Sequence, residues 1–256
     1  MTTFLRESLA ITDIELRKLL RDPTELLSRA IQPVLWLAIF GRVLSRARGL
    51  DAGSGDYLSF MTPGILAQSV LFSAIFYGIA VIWERDLGVV QKLLASPASR
   101  TSLIFGKAVA ADFRGIVQAL VIYVIAWAMG VSLNWNIASI AGVMLLVALG
   151  SAVFSTFSLI MACIVKTRER FMGIGQVLTM PLFFASNAIY PLDLMPPWLK
   201  FIATVNPLTY LVDGLRGLMV LNGASTHPLY FNIGVLTVIF AVMLMLAARL
   251  YPRLAE

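Results

Sequence analysis

Residues 187–221, NAIYPLDLMPPWLKFIATVNPLTYLVDGLRGLMVL, decide how this chain folds. The run is apolar enough to enter a bilayer, yet Pro191, Pro196, Pro197 and Pro207 interrupt it, and Asp193, Lys200, Asp213 and Arg216 charge it. Each proline lacks an N–H and disfavours a helical residue before it, so the run predicts short helices joined by turns, not one crossing. Lipid does not tolerate the freed carbonyls unless other protein or water satisfies them. The natural arrangement is a re-entrant segment over 190–227 that dips in, returns on the same side and caps whatever lies between the spans.

The rest of the chain agrees with a bilayer setting. It is 59% hydrophobic and 13% charged, with mean hydropathy +0.85, whereas soluble domains are about 45–50% apolar and about 25% charged. Uncharged runs of about 18 residues or more mark helical spans. Six are expected, at 26–44, 58–82, 112–133, 137–165, 173–190 and 228–248, giving an all-α polytopic membrane domain over residues 1–256. Pro33 and Arg42 interrupt the first. Residues 136–165 carry no charge; a helix that long exceeds the roughly 30 Å core and must tilt, kink or protrude. Pro181 should kink the fifth span.

Charge sets the orientation. The net charge of +6 is not a nucleic-acid signature, because fifteen of the twenty lysines and arginines cluster beside the ends of the spans on one side. The remainder, Arg42, Arg46, Arg48, Lys200 and Arg216, fall on the other. By the positive-inside bias both termini lie in the cytoplasm, as an even span count requires. One cysteine, Cys163, and one histidine, His227, exclude an intrachain disulfide and supply too few ligands for a zinc site. Residues 1–22 are too charged for the apolar core of a signal peptide, so the first span is expected to target the chain.

Several local patterns refine this outline. Leu5, Leu9, Leu16, Leu19 and Leu20 share one helical face with charges around the rest, the pattern of an interfacial helix on the inner leaflet. Asp22-Pro23-Thr24-Glu25 is a helix-start signal for the first span. The loop over 45–56 contains Gly49 and Gly53, but its polar neighbours exclude a helix-dimer motif. In 84–100, Leu87, Val90 and Leu94 recur at helical spacing opposite Glu84, Arg85, Gln91 and Lys92. Ser96-Pro97 stops that helix and is expected to cap the next. Lys107, Asp112 and Arg114 are expected to anchor the third span at the inner interface.

Two stretches resemble the permease subunits of type-2 ATP-binding-cassette exporters, such as daunorubicin-resistance and nodulation-factor exporters. One is Glu84-Arg85-Asp86-Leu87-Gly88 with Leu94-Ala-Ser-Pro97-Ala-Ser-Arg100 and Gly106-Lys107, similar to that family's coupling region. The other is Tyr190-Pro191-Leu-Asp-Leu-Met-Pro-Pro197 with Asn206-Pro207-Leu-Thr-Tyr210 and Gly214-Leu-Arg216, similar to its signature before the last span. The resemblance implies a half-transporter in a bacterial cytoplasmic membrane. Two such permeases, a homodimer or a pair of relatives, would pack together, each seating one ATPase subunit on its coupling helix. ATP and magnesium would belong to that partner, since Gly106-Lys107 lacks the upstream glycine and following Ser/Thr of a phosphate-cradling loop. No cofactor or catalytic group is expected in this chain.

The export of an amphipathic drug or lipid-like molecule by alternating access is the reading adopted, with polysaccharide or glycolipid export as the alternative. Phe72, Phe76, Met180, Phe183, Phe184 and Asn187 are the expected substrate path, an adaptable aromatic and sulfur-bearing lining, although packing between helices is the more common role of such residues. A membrane hydrolase using Ser225 beside His227 is disfavoured, because adjacency in a Gly/Ser/Thr/Pro turn supplies neither an aligned base nor an oxyanion site, and no GxSxG elbow exists. An ion-coupled carrier would need acids within its spans.

Overall fold

The structure is a computed structural model that describes residues 2–21, 31–41, 43, 57–165, 167–221 and 223–252. The helix-start signal at 22–25, the loop at 45–56 and residues 26–30, 42 and 44 of the first expected span lie outside the described residues. Within that span, 31–35 is helical and Trp36–Gly41 forms a π-helical turn. The remaining elements are α1 (Thr2–Arg21), α2 (Tyr57–Asp86), α3 (Val89–Leu94), α4 (Arg100–Ala128), α5 (Ile137–Ile164), α6 (Arg168–Phe184), a 3-10 turn (Leu192–Leu194), α7 (Pro197–Val205), α8 (Pro207–Met219) and α9 (Leu229–Leu250). No strand occurs among the described residues, only an isolated antiparallel bridge between Leu133 and Val220.

Four of these helices, α2, α4, α5 and α9, are long and apolar enough to cross a membrane, against the six spans expected. The fifth expected span is where the difference is informative. Helix α6 has 17 residues, running through Pro181 and ending at Phe184; at about 1.5 Å per residue it reaches about 25 Å, at the lower limit for a bilayer crossing. It stops early because the chain turns back there. Ser186 N–H returns to Phe183 O at 3.3 Å, and the amide of Asn206 takes the carbonyls of Leu182 and Ala185 at 2.7 and 3.0 Å.

The third span begins twelve residues earlier than expected. Ser99, not Ser96-Pro97, caps α4 by accepting from Ser102 N–H at 3.1 Å. Ser96 Oγ instead donates back to Leu93 O at 2.6 Å and closes α3. The start at Arg100 draws Lys107 and Arg114 into the helix body, and both side chains are buried against protein. Neither anchors at an interface, which corrects the expectation for these two.

Helix α2 is the central element. Its polar residues Ser59, Thr62, Gln68, Ser69 and Ser73 are buried along with its apolar ones, because α4, α5, α6 and α8 surround it. At one end of the bundle lie α1, α3 and the turn into α6. At the other lie the turn after α4, the loop before α9 and the short helices α7 and α8. The bridge between Leu133 and Val220 stitches this second end, with Asn134 N–H on Met219 O at 2.9 Å and Leu221 N–H on Ser132 O at 3.0 Å. The segment after α6 folds as short helices joined by turns, each helix starting on a proline at its first positions, Pro197 for α7 and Pro207 for α8.

Candidate functional site

At the charged end α1 lies along α4, burying Ser8, Ile11, Thr12, Glu15 and Leu19, while Leu5 and Leu9 stay exposed. The buried face is therefore displaced from the leucine stripe. Contact is close because Gly106 has no side chain: a Cβ there would meet Ser8 O at 2.6 Å. Thr12 Oγ1 bonds Gly106 O at 3.1 Å, and Glu7 accepts from Ser102 Oγ at 2.6 Å and Ser99 N–H at 3.1 Å. These bonds, Ser102's foremost, hold the Glu7 carboxyl below the usual range.

Beneath that contact sits an ion cluster joining three helices. Lys107 of α4, 2% exposed, donates to Glu15 of α1 at 3.0 Å and Glu84 of α2 at 2.6 Å. Lys18, half exposed, reaches the same carboxylates at 3.2 and 2.5 Å. Burial alone would raise the Glu15 pKa, but the ammonium groups of Lys107 and Lys18 outweigh it and hold the carboxyl at about 2. The ring of Tyr77 lies 5.9 Å from Lys107 Nζ and 4.9 Å from the Arg114 guanidinium.

The seven expected coupling residues divide. Glu84 faces inward, bound in the cluster, so it is an internal tie and offers no docking group. Arg85 pairs with Asp86 at 2.9 Å, and Asp86 also accepts from Arg168 at 2.7 Å. Arg168 lies 3.3 Å over the Trp83 ring, so the start of α6 is bound to the end of α2. Gly88 adopts φ 73°, a left-handed turn that glycine alone enters freely. It redirects the chain into α3, whose Val90 is buried while Gln91 and Lys92 are exposed. Leu94 is half-buried, whereas Leu87, 70% exposed, and Arg100 face outward.

The six expected substrate-path residues do not converge on one cavity within the chain. Phe72 and Phe76, with ring centroids 6.2 Å apart, line a cavity of about 220 Å³ with Gln32, Gln68, Ser69 and Ser73. Phe183 is fully buried against Trp36 and Phe184, which makes it core. Met180 and Phe184 are partly exposed on α6. Asn187 is buried and lines a different cleft at the other end.

At that end the second motif explains itself. Asn206 accepts from Leu208 N–H at 3.0 Å, capping α8, while its amide N–H groups close the end of α6. Tyr190 OH donates to Phe184 O, Tyr210 OH donates to Thr204 O at 2.6 Å, and Gly214 packs against Leu146 of α5. Pro191 precedes the 3-10 turn, and Pro197 and Pro207 open α7 and α8. Arg216 donates to Asn187 O at 2.6 Å and lies 3.9 Å over the Phe60 ring.

Sequence reasoning missed Asp213. Its buried carboxylate accepts from Ser225 Oγ at 3.0 Å, Thr226 N–H at 2.7 Å, His227 N–H at 2.9 Å and Asn232 Nδ2 at 3.0 Å, fixing the loop into α9. Ser225 and His227 are thus close in space without forming a catalytic pair: Ser225 Oγ donates to the His227 backbone carbonyl at 2.6 Å and to Asp213, not to the imidazole, which stacks on Phe231. A polar track on α2, with Ser69 Oγ donating to Gln118 Oε1 of α4 at 2.9 Å and Ser73 one turn on, was also missed. Its signal was a four-residue spacing of polar groups inside an apolar run. Among the described residues no group of histidine, cysteine or acids could hold a metal ion.

Comparison with known proteins finds similarity along most of the chain. A profile of the ABC-2 type transporter family matches residues 6–220. Transport permease ycf38 of Cyanophora paradoxa is 31% identical over 215 residues, 83% of this chain and 74% of that protein. "Inner membrane transport permease YadH" of Escherichia coli K12 is 24% identical over 230 residues, covering 87% and 85%. "Probable multidrug ABC transporter permease YbhR" of the same strain is 27% identical over 161 residues, covering 62% and 43%.

Proposed function

The chain belongs to the ABC-2 type transporter family, and from that premise we propose that it is the membrane-spanning half of an ATP-driven exporter of amphipathic small molecules. Two permease copies pair in the cytoplasmic membrane with both termini inside, and each seats one ATPase subunit that holds ATP and magnesium. The observation that carries this reading is the buried cluster of Lys107, Glu15 and Glu84, which fastens α1, α2 and α4 into one body directly behind the outward-facing Leu87 and α3. A push on that surface reaches α2 as a rigid-body movement, since packed elements transmit displacement instead of absorbing it.

Cargo contacts in this reading come from the cavity with Phe72 and Phe76, whose aromatic walls and few polar groups suit an amphipathic molecule. The relative YbhR is named a probable multidrug permease, which favours drug-like cargo over a glycan. A second permease is favoured by the apolar surface that α6 and α7 leave uncovered, where Val177, Trp198, Phe201 and Val205 are exposed around an apolar groove of about 420 Å³. The test is reconstitution of the chain with its ATPase in proteoliposomes. ATP-dependent movement of a fluorescent amphipathic drug that requires both chains supports the proposal; movement by the permease without an ATPase overturns it.

A further inference from the structure

The cleft around Asn187 and Arg216 is unlike the rest of the bundle, because its buried cation has no carboxylate of the described residues within ion-pair distance. Arg216 is 6% exposed and joins no ion pair among the described residues. Its Nη2 donates to Asn187 O at 2.6 Å, its plane covers Phe60, and its Nε is buried without an acceptor. Asp213, one turn earlier on α8, attracts Arg216 through space but makes no direct bond to it, since its oxygens accept from Ser225, Thr226, His227 and Asn232. The side-chain amide of Asn187, 1% exposed, has neither its nitrogen nor its oxygen partnered.

Both groups line an open cleft of about 220 Å³ with Lys200, Thr226 and Asp193 at its walls; about 15 Å³ suffices for one water. Leaving a guanidinium buried and unpaired is costly, and an arginine in a membrane protein commonly marks a pathway or a ligand. The planar fork of arginine matches the oxygens of phosphate, and a lysine at the rim adds a mobile second charge.

We propose that this cleft binds a phosphate oxyanion, held by Arg216 and the Asn187 amide and drawn in by Lys200. Lys200 now pairs with Asp193 at 3.3 Å, and Asp193 is almost fully exposed. An incoming phosphate competes with that carboxylate for the lysine, so Asp193 weakens the site. The oxyanion is either a lipid phosphodiester or free phosphate, and the site stands whether or not the chain exports drugs.

The full chain is purified in neutral detergent, and its unfolding midpoint is followed against inorganic phosphate with sulfate-free chloride buffer at constant ionic strength. In parallel, phosphatidylglycerol is compared with a neutral glycolipid in nanodiscs. The wild type should gain stability with one or both phosphate sources; a gain with phosphatidylglycerol alone assigns a headgroup, and a gain with both assigns the anion itself. Lys200→Gln should weaken the response several-fold, Arg216→Lys should abolish it, and Asp193→Asn should strengthen it. No shift with either source overturns the proposal, as does an Asp193→Asn response equal to that of Lys200→Gln. Lys200 and Asp193 are surface residues, so their opposed effects remain readable even if Arg216→Lys fails to fold. Loss of drug transport with this binding intact would sink the exporter reading alone.

Discussion

Lys107 on α4 donates to Glu84 on α2 across 2.6 Å, and both residues are buried. The residue that the coupling motif offers as a docking group is thus an internal tie. Removing one partner of such a pair leaves an uncompensated buried charge, which costs about 3–5 kcal/mol, whereas replacing every charge by neutral groups of similar volume is near neutral. Lys107→Met should therefore sharply lower the unfolding midpoint in detergent. The triple change Lys107→Met, Glu15→Gln, Glu84→Gln should recover most of the loss. A triple variant less stable than Lys107→Met would show that the cluster is not an electrostatic unit.

Docking should instead be read at Leu87. Its side chain is 70% exposed just ahead of α3 and is uninvolved in the cluster. Leu87→Asp should leave the unfolding free energy of the chain within about 0.5 kcal/mol of wild type, as surface changes do, while reducing ATPase co-purification. Unchanged co-purification would move the docking surface elsewhere. Gly88 is the contrasting case: at φ 73° a β-branched residue costs about 1–2 kcal/mol and re-aims α3, so Gly88→Val should affect both measurements.

The hold of α1 on the bundle should depend on acidity in a defined sense. Glu15 titrates near 4.5 when free and at about 2 in the folded chain, so it binds more protons unfolded than folded. Its contribution is complete above about pH 4.5 and is lost as pH falls toward 2. A spin label at Asp13→Cys, in a Cys163→Ala background, should stay immobilised through neutral pH and gain mobility across that window. Mobilisation between pH 6 and 8 would contradict the assignment.

Asn206 performs two jobs, and its variants should separate them. Asn206→Ser keeps an N-cap oxygen for α8 but abandons the carbonyls of Leu182 and Ala185; Asn206→Ala loses both. A cap is worth about 0.5–2 kcal/mol, and each stranded buried acceptor costs about 1–3 kcal/mol. Stability should fall in the order wild type, Ser, Ala, measured by thermal unfolding. Equal stability of the three would remove Asn206 from the architecture.

Part of this was legible without coordinates, for a simple reason. Apolar run length and proline position act locally, so 187–221 declared itself as broken helices, and the long runs that became α2, α4, α5 and α9 declared themselves as crossings. The end of the run at 173–190 was placed six residues late because α6 stops at Phe184, where the Asn206 amide, more than twenty residues away, donates to the carbonyls of Leu182 and Ala185. The same holds for Lys107: hydropathy sees a charge near the end of an apolar run and assigns it to the interface. Only the packing of α1 against Gly106 delivers Glu15 to it and makes burial tolerable.

What the sequence by itself determined is the membrane setting, the helical class, the breaks at its prolines and, through two motifs, the family. What tertiary structure alone decided is which charges meet. Coulomb energy depends on distances between residues such as Glu15, Glu84 and Lys107, or on the lack of an ion pair at Arg216 among the described residues, and those distances exist only once helices far apart in the chain are packed side by side.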